Sequence, residues 1–159
     1  MSEATEPIEP LSPAEERAWR AIARALVTVP RSLDADLQSS QGLSMGEYFV
    51  LMNLSEARDR SLRMSEIATR GGLSPSRISR LVDELVAEGF VKRARSAVDG
   101  RVQIAVLTDA GFARLQAAYP AHLESVRRNV IDHLGGLDLD ALAKAASKFA
   151  PACPRPSDD

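Results

Sequence analysis

A mainly α-helical chain carrying one small β-hairpin is the fold class the sequence predicts, and three observations predict it. Apolar residues make up 45% of the 159 residues and aromatics only 4%, a balance that suits helices packed with Leu, Ala and Val. Helix start signals at Ser12, Ser44, Ser74, Thr108 or Asp109, and Asp138 each precede apolar residues at helical spacing. Between the third and fourth lies a basic stretch with strand character, interrupted by Asp99-Gly100, a pair favoured at hairpin turns. A chain of this length is expected to form one domain.

Residues 1–11, with Glu3, Glu6, Pro7, Glu9 and Pro10, are acidic and expected to be disordered. Ser12-Pro13-Ala14-Glu15 is a capping box with Pro at the first helical position. The spacing of Ala18, Trp19, Ile22, Ala23, Leu26, Val29, Leu33 and Leu37 predicts a long helix from Pro13 toward Leu37. Pro30 should kink or break it. A helix this long with a broad apolar stripe packs against more than its own domain, so part of it is assigned to a dimer interface. Ser44-Met45-Gly46-Glu47 is a second capping box, opening a helix that carries Tyr48, Phe49, Leu51, Met52 and Leu54 and ends near Ala57. Residues 58–62 form a polar turn, in which Arg60-Ser61-Leu62 is expected to make a short first strand.

The stretch from Arg63 to Leu107 organises the rest. Ile67 and Ala68 mark the apolar face of a short helix, and the small Ala68 permits close approach of the next one. Gly71 and Gly72 are expected to supply the positive φ of a sharp turn. Ser74 is a strong N-cap and Pro75 a first helical residue. Ile78, Leu81, Val82 and Leu85 form the buried stripe of the helix that follows, and Gly89 closes it. Phe90–Ala94 reads as a strand, Asp99-Gly100 as the turn and Val102–Leu107 as the return strand. Asp99 is expected to hold the Arg101 side chain by a charge-assisted hydrogen bond. Beyond it, a helix through Phe112, Leu115, Tyr119, Leu123, Val126, Val130 and Leu134 should bend at Pro120 and end at Gly135-Gly136. Asp138 caps a last helix with Leu139, Leu142, Ala146 and Phe149, and prolines 151, 154 and 156 close a mobile tail.

Two helices around a glycine turn, followed at once by a basic hairpin, make a winged helix-turn-helix. The second helix carries Ser76, Arg77, Ser79 and Arg80 opposite its apolar stripe and near its N-terminus. In this motif that end enters the major groove of double-stranded DNA, where Arg reads guanine bidentately. Arg77 and Arg80 are therefore the candidates for base or phosphate contact, with Ser74, Pro75, Ser76 and Ser79 beside them. Arg95, Asp99 and Arg101 serve the wing, and Arg60, Ser65, Thr69 and Arg70 are secondary backbone candidates. Charge distribution agrees. Ten basic and six acidic residues lie between Arg58 and Arg101, a net +4, whereas the whole chain carries −2, leaving −6 elsewhere. Residues 43–108 are thus the DNA-binding region, 12–42 and 109–150 the dimerisation helices, and 151–159 the tail.

The apolar pattern, the Asp99-x-Arg101 pair and the Leu107-Thr108-x-x-Gly111 run resemble the multiple antibiotic resistance regulator (MarR) family, over about Leu11 to Phe149. The wing tip departs from many members, with uncharged Ser96, Ala97 and Val98 before the Asp. The resemblance implies a homodimeric transcriptional regulator, in most cases a repressor, whose terminal helices clasp the partner chain. It also implies release from DNA by a small aromatic or phenolic ligand, bound between the dimer helices and the reading head. Trp19, Arg20, Tyr48, Met52 and His122 are the candidates there, a cation beside aromatics suiting a phenolic carboxylate.

Other classes find little support. Two histidines, one cysteine (Cys153) and no glycine-rich phosphate loop leave little for catalysis, so no enzyme, metal or cofactor is expected. His122 and His133 lie about three helical turns apart, too far to share a metal. No apolar run reaches the ~18 residues of a membrane span, and the acidic start lacks a signal core, so a cytoplasmic protein is expected. A constitutive or protein-partner-controlled winged-helix module without a ligand is the alternative.

Overall fold

The chain begins as its first capping box dictates. The Ser12 hydroxyl accepts the Glu15 N–H while the Glu15 carboxylate accepts the Ser12 N–H, satisfying two orphan donors reciprocally. Helix α1 (Pro13–Gln41) follows. The computed structural model describes residues 9–96 and 99–149. The expectations for most of the acidic start, the wing-tip pair 97–98 and the tail with Cys153 lie outside the described residues.

Pro30 does not break α1, which runs on through it and beyond Leu37 to Gln41. Losing the Pro N–H costs about 3 kcal/mol in a helix interior. Tertiary contacts of the C-terminal half offset that. Leu37 is buried, and Asp36 Oδ2 accepts from Ser125 Oγ at 2.5 Å, Arg128 Nη2 at 2.7 Å and Asn129 Nδ2 at 2.9 Å, all on helix α5 (Asp109–Asn129). The hydrogen bond from the Ser125 hydroxyl is the leading cause that holds the Asp36 carboxyl below its ordinary range.

Helix α2 (Met45–Glu56) opens with the Ser44–Glu47 box and sits at the centre of the core, where Val50, Leu51 and Leu54 are fully buried. A 3-10 turn, Arg58–Arg60, leads into β1 (Ser61–Arg63). The strand starts one residue later than expected because Asp59 and Arg60 adopt left-handed backbone, φ 54° and 51°, which no strand tolerates. Helices α3 (Met64–Gly71) and α4 (Pro75–Ala87) follow, then β2 (Val91–Arg95) and β3 (Gln103–Leu107). The sheet is antiparallel in the order β1-β3-β2, with Ala105 opposite both Leu62 and Arg93.

Thr108 explains the Leu-Thr-x-x-Gly run. Its hydroxyl donates to the Gly89 carbonyl at 2.8 Å and accepts the Gly111 N–H at 3.0 Å, capping α5 and tying it to the end of α4. Gly111 lets α5 press on the backbone, since a Cβ there would lie 2.1 Å from the Phe90 carbonyl oxygen. Helix α5 passes through Pro120 but stops at Asn129, short of the expected Leu134. The β-branched pair Val130-Ile131 favours helix poorly, and a 3-10 turn, Ile131–His133, takes over. Asp138 Oδ1 then accepts the Ala141 N–H at 3.0 Å and caps α6 (Leu139–Phe149).

Large apolar residues are left uncovered on α1 and α6. Trp19 and Leu26 on α1 are 57% and 62% exposed, and Leu139 and Leu142 on α6 are 50% and 42% exposed. Helix α6 stands clear of the core.

Candidate nucleic-acid interface

The turn between α3 and α4 uses its two glycines differently. Gly72 alone is left-handed, φ +57°, and the Leu73 N–H returns to the Ala68 carbonyl at 3.1 Å, completing a Schellman closure. Gly71 does not supply positive φ, as the sequence suggested. It is the last residue of α3, and its missing Cβ makes room for Phe49, whose Cε1 would lie 2.8 Å from that atom.

Helix α4 then starts as expected. The Ser74 hydroxyl accepts the Arg77 N–H at 3.3 Å and lies 3.1 Å from Ser76 Oγ, and Pro75 occupies the first turn. Ile78, Leu81, Val82 and Leu85 are buried, which turns Ser76, Arg77 and Arg80 to solvent. Neither guanidinium has a protein partner among the described residues. At the far end Gly89, φ +79°, and Phe90 close the helix on Val86 and Leu85.

The wing differs from a two-residue hairpin. Residues 96–102 separate its strands, and Asp99-Gly100 opens a turn in which the Asp99 carbonyl accepts the Val102 N–H at 2.9 Å. Asp99 Oδ1 accepts the backbone N–H of Arg101 at 3.0 Å, not the guanidinium as expected. The carboxylate shapes the loop, and the Arg101 side chain stays exposed, as does that of Arg95.

Arg93 is the functional residue that sequence reasoning missed. Its Nη2 donates to the Ser79 carbonyl at 3.1 Å and to Ser79 Oγ at 2.9 Å, and pairs with Asp83 Oδ1 at 2.9 Å. Its Nη1 donates to Gln103 Oε1 at 2.7 Å. One guanidinium therefore fixes α4 against both strands of the wing. The signal was alternation. Val91 is buried, so Arg93, two residues on, shares its face, and a cation there needs partners. The bond to Arg93 also engages Ser79, leaving it less free for DNA than the sequence suggested.

The secondary candidates fall into two groups. Ser65 and Thr69 are exposed on α3, with the Thr69 hydroxyl donating to the Ser65 carbonyl at 2.9 Å. Arg60 and Arg70 are already engaged. Arg60 lies over the Phe112 ring at 4.1 Å and pairs with Asp109 at 3.1 Å, and Arg70 donates to the buried Asn53 at 3.5 Å. Each therefore has a side-chain partner within the protein.

A separate cleft of ≈ 480 Å³ lies between α2 and α5, lined by Tyr48, Met52, Ser55, Glu56, Leu115, Gln116, Tyr119 and His122. The Tyr48 and His122 rings pack at 4.3 Å, tilted by 35°. Burial pushes the Tyr48 hydroxyl up and the His122 imidazole down, favouring the neutral form of each. Three of the five expected ligand residues thus come together here. Trp19 and Arg20 do not. Trp19 is exposed on α1, and Arg20 pairs with Glu16 at 2.7 Å beside Arg17 and Arg24. No helix among the described residues is long and apolar enough to cross a membrane.

Comparison with known proteins places this geometry. The MarR family model matches residues 41–102. The HTH-type transcriptional repressor YetL of Bacillus subtilis (strain 168) is 35% identical over 88 residues, covering 55% of this chain and 53% of that protein. The chain spans about half the length of the curated relatives it matches. Two solved structures extend the likeness. Sco3205 of Streptomyces coelicolor, a MarR family transcriptional regulator in complex with DNA, has a TM-score of 0.84 at 32% identity, covering 92% of this chain and 91% of its own. AbsC of the same organism has a TM-score of 0.81 at 36% identity, covering 90% and 96%. With its capped helix-turn-helix, its three-stranded wing and this likeness over nearly the full length of both regulators, the chain belongs to the MarR family of transcriptional regulators.

Proposed function

We propose that the protein is a sequence-specific DNA-binding repressor, acting as a homodimer on a pseudo-palindromic operator and answering to a small aromatic ligand in the cleft between α2 and α5. The observation that carries the DNA reading is the exposed pair Arg77 and Arg80 on the first turns of α4, without protein partners among the described residues. Ser74, Pro75 and Ser76 lie beside them, and the wing arginines Arg95 and Arg101 flank them. Two such helices ~34 Å apart meet successive major grooves. The DNA complex of Sco3205 supports this use of the fold, and the repressor name of YetL supports the sign of regulation. Support for the homodimer comes from the uncovered apolar residues of α1 and α6, side chains whose burial is worth about 1.5–3 kcal/mol each for Leu.

DNA selected from random oligonucleotides tests the reading. The expected product is an inverted repeat bound by a dimer. Arg77→Ala and Arg80→Ala should each lose about 1–3 kcal/mol and relax one base position per half-site. If both variants bind like wild type, the recognition face is wrong. Sedimentation at micromolar concentration that finds only monomer sinks the two-fold reading.

A further inference from the structure

We infer that the cleft between α2 and α5 takes a planar aromatic cation carrying N–H donors, rather than the phenolic carboxylate its resemblance suggested. The inference rests on the ligand reading above and specifies the chemistry of that site. Glu56 is the single ionised side chain among the described residues that line the cleft. The one cation expected there, Arg20, lies on α1 in an ion pair with Glu16. Because their surroundings keep Tyr48 and His122 neutral, neither alters that balance at neutral pH.

Among the remaining polar atoms, two oxygen groups are set to accept, beside the hydroxyl, amide and imidazole donors of Tyr48, Tyr119, Gln116 and His122. The Ser55 hydroxyl spends its proton on the Met52 carbonyl at 2.7 Å, leaving its oxygen as an acceptor. The Glu56 carboxylate accepts only. The ring of the exposed Tyr119 carries the negative face of an aromatic quadrupole, which attracts a cation within about 6 Å of the ring centre. A carboxylate entering the cleft would instead meet a like charge and no arginine or lysine among the described lining residues. The half-buried Met52 thioether and the buried Leu115 leave the walls apolar, suiting a flat ring.

Three bicyclic probes of one shape separate the possibilities: 2-naphthamidine, a cation; 2-naphthamide, neutral; and 2-naphthoate, an anion. Each is titrated calorimetrically into the full chain. The amidinium should bind at least about tenfold tighter than the amide, and the naphthoate weakest. In Glu56→Gln the amidinium should fall to the level of the amide. Gln116→Trp, which fills the exposed mouth, should weaken every probe that binds. Naphthoate binding best, with Gln116→Trp abolishing it, would keep the cleft as a ligand site and overturn the cation assignment. A cation preference that survives Glu56→Gln overturns it too. If none of the three binds, the ligand reading of the cleft fails and the inference fails with it.

Discussion

Replacing Arg93 with Met removes the guanidinium that joins α4 to the wing while keeping most of the side-chain stem. The cost can be worked from its partners. The ion pair with Asp83 is worth little, because that carboxylate is 62% exposed and solvent screens it, so about 0.5 kcal/mol is assigned. The hydrogen bonds to Ser79 and Gln103 have a charged donor, for which about 1.5–3 kcal/mol each is typical when buried. The Arg93 side chain is itself 27% exposed, and both acceptors can turn to water. A total near 2 kcal/mol results. For a chain of this size that lowers Tm by about 4–8 °C, measured at fixed protein concentration because a dimer's Tm depends on it. Operator affinity should fall alongside, since the wing loses its fixed angle to α4. Asp83→Asn should cost far less, and the double variant should show coupling of about 0.5 kcal/mol. A Tm within a degree of wild type, with unchanged operator affinity, would refute the joint.

Further consequences follow from the same geometry. Gly111→Ala drives a methyl to 2.1 Å from the Phe90 carbonyl oxygen and 2.8 Å from Leu107 Cδ1; the overpacking cost, at the upper end of about 1–3 kcal/mol, exceeds the helix-propensity gain of about 1 kcal/mol, so denaturant midpoints should drop, and a midpoint at or above wild type contradicts the close approach. Burial holds the His122 pKa below its ordinary 6.5, so its stabilising contribution is complete above 6.5 and is lost as pH falls through the lower folded value; urea midpoints compared at pH 7.5 and 5.0 should fall less in His122→Phe than in wild type, and equal falls remove the effect. Arg95→Ala and Arg101→Ala should each flatten the plot of log affinity against log salt by about one unit for each phosphate left without its cation, and base preference should stay the same; an altered consensus would make them base readers instead.

What was legible in the sequence is what is local. The caps at Ser12, Ser44, Ser74 and Asp138 sit within three residues of the backbone donors they satisfy, and all four close as expected. The same locality gave α4 its buried stripe and hence its exposed Arg77 and Arg80. What was illegible is what joins distant segments. Asp36 meets Ser125, Arg128 and Asn129 across about ninety positions of chain, and nothing near Asp36 announces those partners. Pro30 looked like a break because its local cost is visible and the packing that offsets it is not. Trp19 and Arg20 join Tyr48 only in the family's general layout, whereas in this chain neither lines the cleft.

The arginines of the reading head carry this distinction into function. A guanidinium held by protein acceptors is less free to reach a phosphate, and one paired with a carboxylate brings less net charge to it. Arg60, Arg70 and Arg93 are held by Phe112 and Asp109, by Asn53, and by Ser79, Asp83 and Gln103. Arg77, Arg80, Arg95 and Arg101 have no such hold among the described residues. The ten cations counted between Arg58 and Arg101 therefore overstate the phosphates the chain can readily neutralise. The net −2 of the chain understates them, because sixteen of its 22 acids lie outside the Arg58–Arg101 stretch and charges more than about 8–10 Å away are screened at physiological salt. A basic face on an acidic chain is consistent when range is considered: what DNA meets is set by the few unpaired arginines within a Debye length, and folding decides which arginines those are.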